Sequence, residues 1–233
     1  MIKAIKKSLR HTFPNIIDSI ELQREKKSSD SIINSILSMD DADYPQYLQG
    51  FFEKKTGHTL NLDVPRRFME KVQWRKLYDQ DPIYTLLSDK YEVRNWITEK
   101  IGDEYLIPLL GHWERFDDIP FDDFPEQFVL KTNNASHTNI VVKNKKEFLK
   151  GRRAARNRIE YWLHTPFAYL EGLELQYRNI HPQIIAEKYL QPETGKSDLV
   201  DFKFHCFDGS PVLCQVIGDR TTEETMDFFD QHE

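Results

Sequence analysis

The arrangement of strands is most clearly indicated by Phe128-Val129-Leu130-Lys131-Thr132-Asn133-Asn134-Ala135-Ser136-His137-Thr138-Asn139-Ile140-Val141-Val142. An apolar run at 128–131 ends in a lysine, a polar loop follows, and a second apolar run occupies 140–142. Short apolar runs on either side of a polar loop predict two strands. We therefore expect Lys131 to lie at the end of a strand, beside a loop of small polar residues.

The loop that follows this lysine has the composition of an anion-binding turn. Its side-chain donors are Asn133, Asn134, Ser136, Thr138 and Asn139. A turn of small residues also exposes backbone N–H groups to an anion. The Gly-x-x-x-x-Gly-Lys pattern of a P-loop is absent from the sequence, so the loop is not of that type. A solvated polar hairpin loop is the alternative interpretation.

A further apolar run, at 184–190, ends in Glu187-Lys188-Tyr189-Leu190. At an adenine site, carboxylate and carbonyl groups accept hydrogen bonds from the amino group, and a backbone N–H donates to a ring nitrogen. Aliphatic side chains then enclose the ring. The segment is therefore a candidate adenine hinge. The alternative is an ordinary strand end with one solvated face.

The predicted strand at 199–207 carries a row of charged residues. Side chains alternate between the two faces of a strand, so Asp201, Lys203 and His205 share one face. We expect Phe202 and Phe204 to pack against the core from the other face. A charged row across a cleft suits a polyanionic ligand, and an exposed sheet face is the alternative.

Two sets of arginines are candidates for anion contacts. Arg220 follows a strand and could reach a phosphate as a fork-shaped donor, although strand-end arginines are often surface residues. The predicted helix at 147–163 carries Arg152, Arg153, Arg156 and Arg158. That cluster suits an acidic polysaccharide or a phosphate, and a solvated helix face is the alternative.

The composition excludes several classes of protein. The chain has 233 residues, 39% of them apolar, which allows one sizeable domain or two small ones. A net charge of −6 argues against a nucleic-acid partner. No apolar run approaches the roughly 20 residues that cross a bilayer, and no secretory signal is present, so we expect a cytoplasmic protein. Cys206 and Cys214 are predicted to be buried free thiols, as a reducing compartment allows.

Helical patterns come first and strand patterns later, which predicts an α+β protein. Residues 1–13 are predicted to form an amphipathic helix with a basic face, either attached weakly to an anionic membrane surface or docked on the protein. Residues 23–31 are predicted to be a flexible connection. Helices are predicted at 31–39, 44–55, 68–78, from Ser88 or Asp89 to 100, and at 147–163. Strands are predicted at 105–110, 128–131, 140–142, 183–189, 199–207 and 212–218, with Asp208-Gly209 as a hairpin turn.

Taken together, these segments resemble the TupA-like ATP-grasp family from about Tyr44 to the C-terminus. Many motifs occur in the family's order, and this makes the resemblance specific. The segments that carry it are Val64-Pro65-Arg66-Arg67-Phe68-Met69-Glu70-Lys71-Val72-Gln73-Trp74, Leu77-Tyr78-Asp79, Asp89-Lys90-Tyr91-Glu92-Val93-Arg94, Ile101-Gly102-Asp103-Glu104-Tyr105-Leu106-Ile107-Pro108-Leu109-Leu110-Gly111, Phe128-Val129-Leu130-Lys131, Ile185-Ala186-Glu187-Lys188-Tyr189-Leu190, Asp201-Phe202-Lys203-Phe204 and Asp219-Arg220.

The resemblance implies an ATP-grasp-like fold, with a helical N-terminal part followed by mostly antiparallel sheets and flanking helices. We expect a helical extension at 1–43, the helical part of the family domain at 44–103, and the nucleotide-binding region at 104–233. Other members of the family usually have further residues after the position that aligns with Glu233. The C-terminal part of the fold is therefore expected to be missing.

The resemblance also implies roles for individual residues. Lys131 would contact phosphate and the adenine edge, while Ser136 and its neighbour Asn139 would close over the phosphates. The adenine hinge would comprise Glu187, Lys188 and Leu190. Asp201 would contribute to the nucleotide site, and Lys203 and Arg220 would approach the triphosphate as catalytic cations. Asp89, Lys90 and Arg94 match a family motif for which we predict no role beyond helix capping by Asp89.

The chain departs from the family pattern at two places. The family's loop usually contains glycine, whereas residues 133–137 read Asn-Asn-Ala-Ser-His. Glycine permits a positive φ and close approach of the backbone to phosphate, and Asn can also adopt such conformations. The family's acidic Mg²⁺ ligands lie on late strands, and we find none in this sequence. Mg²⁺ neutralises phosphate charge, so a chain without its ligands is expected to bind or turn over ATP poorly.

The activity expected from the resemblance is ATP-dependent ligation of a carboxylate to an amine on a cell-surface polysaccharide of the capsular or teichuronic type. ATP with Mg²⁺, and a polysaccharide or its precursor, are the expected ligands. A glycosyltransferase that uses a sugar nucleotide is a second enzymatic interpretation. The third is a truncated, non-catalytic binding or scaffold protein of a polysaccharide assembly complex. The expected location is cytoplasmic, including the inner face of the cell membrane.

Overall fold

Residues 14–192, 198–219 and 223–230 are described by a computed structural model of the chain. Helices dominate the first half and antiparallel strands the second, so the predicted α+β class is confirmed. The chain divides into two units, Met1–Lys188 and Tyr189–Glu233, and each is described by itself. The predicted amphipathic helix at 1–13 and the predicted catalytic Arg220 lie outside the described residues.

The first unit contains six helices in its described part. They are α1 (Pro14–Leu37), α2 (Tyr44–Thr56), α3 (Phe68–Tyr78), α4 (Ile83–Ser88), α5 (Val93–Ile101) and α6 (Lys145–His164). The α3 helix has the predicted bounds, and α2 ends as predicted at Gly57, which adopts φ 72°. A left-handed residue at this position is a common helix stop, and glycine adopts it at the lowest cost.

The prediction of a flexible connection at 23–31 was wrong, because these residues lie inside α1. The segment contains no glycine or proline, and its Glu, Lys, Gln and Arg residues have good helix propensity. Packing also fixes the helix: Leu22, Ile33 and Ile36 are buried. Ile33 and Ile36 join a cluster with Leu48 of α2, which ties the N-terminal helices together.

The sheet of the first unit has four antiparallel strands in the order β1-β4-β2-β3. They are β1 (Leu109–Trp113), β2 (Phe128–Thr132), β3 (Asn139–Val142) and β4 (Ile184–Lys188). The strands at 128–131, 140–142 and 183–189 are confirmed to within two residues. The predicted strand at 105–110 was misplaced: Asp103–Tyr105 is a 3-10 turn, and the strand begins at Leu109, directly after Pro108.

One face of this sheet packs against α6. Phe128 and Leu130 of β2, with Ile184 and Ala186 of β4, form a buried cluster with Ile159 of that helix. Alternate residues on the same strands point the other way, because side chains alternate across a sheet. These opposite-face residues include Lys131 and Glu187, so packing on α6 determines which face carries the candidate site.

The second unit contains a three-stranded antiparallel sheet. Its strands are β5 (Asp201–Phe207), β6 (Ser210–Gly218) and β7 (Thr225–Asp230). The Asp208-Gly209 turn was predicted correctly, and both residues have positive φ angles of 50° and 78°. Strand β7 was not predicted. Its sequence begins Thr-Met-Asp and has only two adjacent aromatic residues, so it lacks a clear alternation.

Two predictions of burial in this sheet were wrong. Phe202 and Phe204 are 63% and 64% exposed instead of buried against the core. They do lie on the face opposite Asp201 and Lys203, as strand alternation requires, but that face is open. Cys206 is exposed and Cys214 is half-buried, and both are free thiols. The sequence predicted correctly that side chains of β5 alternate between two faces. It did not show whether any element covers the face that carries Phe202 and Phe204.

No helix within the part of the chain that the structure describes is long and apolar enough to cross a membrane.

Candidate functional site

An ion-pair cluster lies on the face of the four-stranded sheet opposite α6. Val129 of β2 pairs with Glu187 of β4, so Lys131, two residues further along β2, shares a face with that carboxylate. The Lys131 Nζ atom lies 2.5 Å from Glu187 Oε2. Arg94 Nη1, from α5, lies 3.1 Å from Glu187 Oε1. Both carboxylate oxygens are thus occupied by cations of the protein.

This cluster is largely removed from solvent. The side chains of Glu187, Arg94 and Lys131 are 8%, 15% and 25% exposed. The second guanidinium nitrogen of Arg94 donates to the Ile107 carbonyl oxygen at 2.6 Å, which fixes the orientation of that group. Because ion pairs in a low-dielectric environment are strong and costly to break, this arrangement holds two cations at defined positions.

A third cation, Lys90, stands next to the cluster, and no carboxylate of the described residues is bonded to it. Its ammonium donates to the carbonyl oxygen of Ala135, in the loop between β2 and β3. Burial lowers the pKa of Lys90 to about 8, and the nearby charge of Lys131 contributes to that shift. Asp89 and Glu187 act in the opposite direction but do not cancel the effect. Even with Asp89 counted, positive groups in this described cluster exceed negative groups by one, which favours an anionic ligand.

Asn133 is the residue that fixes the loop in place. Its Nδ2 atom donates to both carboxylate oxygens of Asp89, at 2.9 and 3.0 Å, and to the His181 carbonyl oxygen at 2.9 Å. Its Oδ1 atom accepts from the backbone N–H of Gln183 at 2.7 Å. The amide donors that were predicted for a bound anion are therefore taken up by groups of the protein itself. Asn133 is 1% exposed and acts as an internal connector.

The rest of the loop divides into buried and exposed positions. Thr138 is buried, and Thr132 Oγ1 donates to its hydroxyl oxygen at 2.8 Å. Asn134 is also buried, and its Oδ1 atom has no hydrogen-bond partner among the described residues. Ser136 and His137 are exposed, and His137 adopts φ 60°. The left-handed conformation that glycine would supply is thus taken by a histidine, one of the residue types that tolerate it best.

The remaining predicted residues fall in both units. Asn139 begins β3 opposite Lys131 and is exposed. Lys188, the last residue of β4, is exposed, and its backbone N–H donates to Pro108 O at 2.9 Å. Leu190 belongs to the second unit and is 39% exposed. Asp201 and Lys203 lie on exposed positions of β5 in that unit.

Sequence reasoning missed the contributions of Lys90 and Arg94. Both belong to the segment at 89–94, which was noted only as a motif. A helical spacing would not have revealed them, because Lys90 lies in the turn before α5 and Arg94 lies inside that helix. The helix predicted from Ser88 or Asp89 begins instead at Val93, since Ser88 ends α4. Asp89 accepts from the backbone N–H groups of Tyr91 and Glu92 at 2.8 and 3.2 Å, in the turn that precedes α5. The sequence could not reveal that the Asp89 carboxylate also accepts two hydrogen bonds from the Asn133 side chain.

A divalent metal has no evident set of protein ligands within residues 14–192, 198–219 and 223–230. No group of three or more His, Cys, Asp or Glu side chains there is placed to hold a metal ion. The carboxylate nearest to the cations, Glu187, has both oxygens engaged by Lys131 and Arg94. The described donors thus fit a polyphosphate better than a metal ion.

Comparison with known proteins gives one result. The family model described as TupA-like ATPgrasp matches residues 70–233, which include α5, the two sheets and every residue of the ion-pair cluster. The protein defined by this fold and site is an ATP-grasp protein, and the chain belongs to the TupA-like ATP-grasp family. The family resemblance expected from the sequence is thereby confirmed. No curated protein and no solved structure matches the chain.

Proposed function

We propose that the cluster of Lys90, Lys131 and Arg94 binds the phosphates of ATP. The observation that carries this proposal is Lys90: its ammonium is partly buried, bonded to a carbonyl, and has its pKa lowered to about 8. A partly buried cation that is bonded only to a neutral group is costly, and an anion placed beside it removes that cost. ATP-grasp proteins generally bind ATP with Mg²⁺, and membership of the family supports ATP as the anion.

In this proposal, Glu187 acts by positioning Lys131 and Arg94, since its carboxylate holds both side chains. The backbone of 187–190 with Leu190 forms the adenine hinge, and Lys188 contributes to it. Ser136 and Asn139 contact the phosphates from the exposed side of the loop. Asp201 as a nucleotide contact, and Lys203 and Arg220 as catalytic cations, are proposed on the family resemblance alone.

The proposed reaction is ATP-dependent ligation of a carboxylate to an amine. The carboxylate oxygen attacks the γ-phosphorus, the bond to the β-phosphate oxygen breaks, and ADP leaves. The amine nitrogen then attacks the acyl carbon, the amide bond forms as the acyl C–O bond breaks, inorganic phosphate leaves, and the nitrogen releases one proton to solvent. Positively charged side chains lower the barrier by stabilising the negative charge that moves during transfer. We propose a cell-surface polysaccharide or its precursor as the molecule modified, on the strength of the family alone.

We propose that Mg²⁺ enters the site together with the nucleotide. Mg²⁺ is commonly held by one or two carboxylates together with substrate phosphates and water. No residue is assigned to the ion, and no step of the proposal depends on a protein–metal bond.

The first test is calorimetric titration of the purified chain with a non-hydrolysable ATP analogue, with and without Mg²⁺. Lys90→Met and Lys131→Met should each weaken binding by about tenfold or more, because each removes a charged hydrogen bond to phosphate worth about 1.5–3 kcal/mol. Lys54→Met, on an exposed position of α2, is the matched control and should leave the dissociation constant unchanged. Thermal melting of each variant checks that the protein is folded.

A parallel titration with a uridine-diphosphate sugar separates the two enzymatic interpretations. Tight binding of the sugar nucleotide with weak binding of the ATP analogue would replace the ligase by a glycosyltransferase. Absence of binding by both, in a folded protein, would favour a non-catalytic role. Binding of the ATP analogue that Lys90→Met and Lys131→Met leave unaffected would show that the nucleotide sits elsewhere.

A further inference from the structure

A cavity in the helical part of the first unit borders the ion-pair cluster. Its volume is about 790 Å³, and small-molecule sites usually measure about 300–1,000 Å³. Its walls come from α3, α4, the turn that leads into α5, and the segment at 175–183. Asp89 and Gln183 belong to these walls, and both are bonded to Asn133 of the β2–β3 loop. The cavity and the cluster therefore share one boundary.

Acidic side chains outnumber basic ones in the lining of this cavity. With histidine taken as neutral, the lining has four carboxylates and two cations, which are Asp79, Asp81, Asp89 and Glu92, and Arg75 and Lys76. Even without Asp89, whose carboxylate is bonded to Asn133, acidic groups exceed basic groups by one. The ion-pair cluster has the opposite balance. The two adjoining sites therefore attract ligands of opposite charge.

Both cations of the lining are already bonded to groups of the protein. Arg75 Nε lies 2.9 Å from Asp79 Oδ2, and Lys76 Nζ donates to the Gly172 carbonyl oxygen at 3.0 Å. The Tyr84 hydroxyl donates to the same Asp79 oxygen at 2.8 Å. The hydrogen bonds from Tyr84 and Arg75 hold the pKa of the Asp79 carboxyl below its usual value, so this group is charged at neutral pH. These bonds leave little positive charge for an anionic ligand.

Two carboxylates of the lining remain available to a ligand. Asp81 Oδ1 accepts from the backbone N–H of Ile83 at 2.9 Å, and its other oxygen has no cation beside it among the described residues. The Glu92 side chain forms no hydrogen bond or ion pair within the part of the chain that the structure describes. An ammonium group carries three N–H donors and one positive charge, which suits a pair of carboxylates.

Apolar side chains occupy much of the lining between these charged groups. They include Val72, Leu86, Leu175 and Ile180. Leu175 and Ile180 are buried, so they form a firm apolar wall. Methylene groups gain free energy when they leave water for such a wall. The cavity therefore matches a ligand that combines a positive charge with an aliphatic chain.

We propose that this cavity binds the amine substrate of the ligation, and that this substrate is a small aliphatic diamine. One ammonium group pairs with Asp81 and Glu92, and the methylene chain lies along the apolar wall. A nitrogen that attacks an acyl carbon must be uncharged, so the ammonium held by the carboxylates is a second nitrogen of the same molecule. The boundary at Asp89 and Gln183 places the reacting end next to the phosphate-binding cations.

This inference rests on the proposed function and deepens it, because it names the class of the amine and gives it a binding place. The test is calorimetric titration of the full chain with cadaverine, a five-carbon diamine. Pentanediol has the same chain length without charge, and glutarate carries negative charges at both ends. We expect cadaverine to bind and the other two compounds not to bind. Equal binding of pentanediol and cadaverine, or binding of glutarate alone, would overturn the proposal.

A double variant tests the two available carboxylates. Asp81→Asn with Glu92→Gln should weaken cadaverine binding by about fivefold or more, because it removes both charges that face the ammonium. The asparagine keeps an oxygen that accepts from Ile83. The matched control is Glu99→Gln with Asp103→Asn, the same charge change on exposed residues outside the lining, and it should change binding by less than about twofold. Equal weakening by the two double variants would show attraction to an acidic surface in general and would remove the site.

A neutral variant tests whether the ligand occupies the cavity itself. Asn179 is an exposed residue of the lining, so Asn179→Trp fills part of the cavity without changing any charge. It should weaken cadaverine binding, whereas Asn95→Trp, on an exposed position of α5 outside the lining, should not. If neither Asn179→Trp nor the carboxylate double variant weakens binding, the diamine sits elsewhere and the proposal fails.

The ATP-analogue titration is repeated on the native chain and on each variant, and thermal melting checks that each is folded. A chain that binds cadaverine through the cavity but does not bind the ATP analogue keeps the diamine site and loses the proposed ligase activity. A chain that binds the ATP analogue but not cadaverine loses the diamine site alone.

Discussion

Replacing Glu187 by glutamine tests whether the ion-pair cluster has the energetic weight that its geometry implies. The substitution keeps the shape of the side chain but removes its charge. One of the two oxygens becomes an NH₂ group, which faces cationic donors at Lys131 or Arg94 and cannot accept from them. The substitution therefore breaks or weakens both ion pairs of the carboxylate, at 2.5 and 3.1 Å.

The size of the effect follows from burial. The Glu187 side chain is 8% exposed and its partners are 25% or less. Removal of one partner from a buried ion pair typically costs about 3–5 kcal/mol, and hydrogen bonds to charged groups contribute about 1.5–3 kcal/mol each. Because Lys131 keeps some access to water, we expect the free energy of unfolding to fall by about 3 kcal/mol. For a chain of this length, that lowers the melting temperature by roughly 6–12 °C.

Differential scanning calorimetry of Glu187→Gln measures the shift directly. The matched control is Asp118→Asn, which removes the charge from an ion pair of similar geometry, 2.6 Å from Arg115, in side chains that are 43% and 75% exposed. Exposed pairs are screened and contribute little, so the control should melt with the native chain. If both variants shift the melting temperature equally, or neither does, burial does not determine the strength of the cluster and the reasoning fails.

Three further predictions concern the loop, the nearby cation and a close backbone contact. Asn133→Ala should lower the free energy of unfolding by about 3 kcal/mol, measured by urea denaturation, because the partners of a fully buried amide lose their hydrogen bonds. ATP affinity should fall as the pH rises above about 8, because Lys90 loses its proton there and an anion favours the charged form; titration in buffers of different ionisation heat should detect proton uptake in that range. Gly172→Ala should destabilise the protein by clearly more than about 1 kcal/mol, since its φ is 70° and an added Cβ would lie 2.5 Å from the ring of Phe51.

Each of these predictions has an internal comparison. Asn139→Ala removes an exposed amide from the end of the same loop and should leave the free energy of unfolding nearly unchanged. For the pH dependence, Lys90→Met should bind more weakly and without proton uptake above pH 8; unchanged uptake would assign it to another group. Gly57→Ala also has a positive φ, 72°, but its Cβ would meet no atom within 4 Å. Equal destabilisation by the two glycine substitutions would show that backbone conformation alone, and not contact with Phe51, sets the cost.

Much of the fold could be predicted from local patterns, because those patterns reflect local physics. The α3 helix has apolar residues at helical spacing. The strands β2 and β3 are short apolar runs that flank a polar loop, and their shortness and flanking residues favour strands. The error at 23–31 arose because polar residues were taken as a loop, although good helix formers continue a helix once one end is packed. Phe202 and Phe204 were predicted to be buried because they are apolar, but the sequence does not reveal which element covers a sheet face.

The candidate site was predictable only in part, for a related reason. Lys131 and Glu187 were found because each ends a recognisable strand, and antiparallel pairing then brings them to one face. Lys90 lies in the turn before α5 and Arg94 lies in that helix, about 40 residues earlier in the chain than Lys131, and their position over the sheet is a tertiary contact. Asn133 has the appearance of a free polar loop residue in the sequence, and only the structure reveals its bonds to Asp89 and Gln183. The division of the chain at residues 43 and 103 stays a prediction.

The anchored loop at 133–138 has a consequence for the thermodynamics of ligand capture. A glycine-rich loop samples many conformations and loses that freedom when it closes on a phosphate, so part of the binding energy is spent on ordering. Here Asn133, Lys90 and Thr138 already fix the backbone through bonds to separate elements. The loop therefore loses its conformational entropy when the chain folds, and little further entropy is lost when a ligand binds. Such a loop gains selectivity for ligands that match its shape, and it gives up the ability to wrap around ligands that do not.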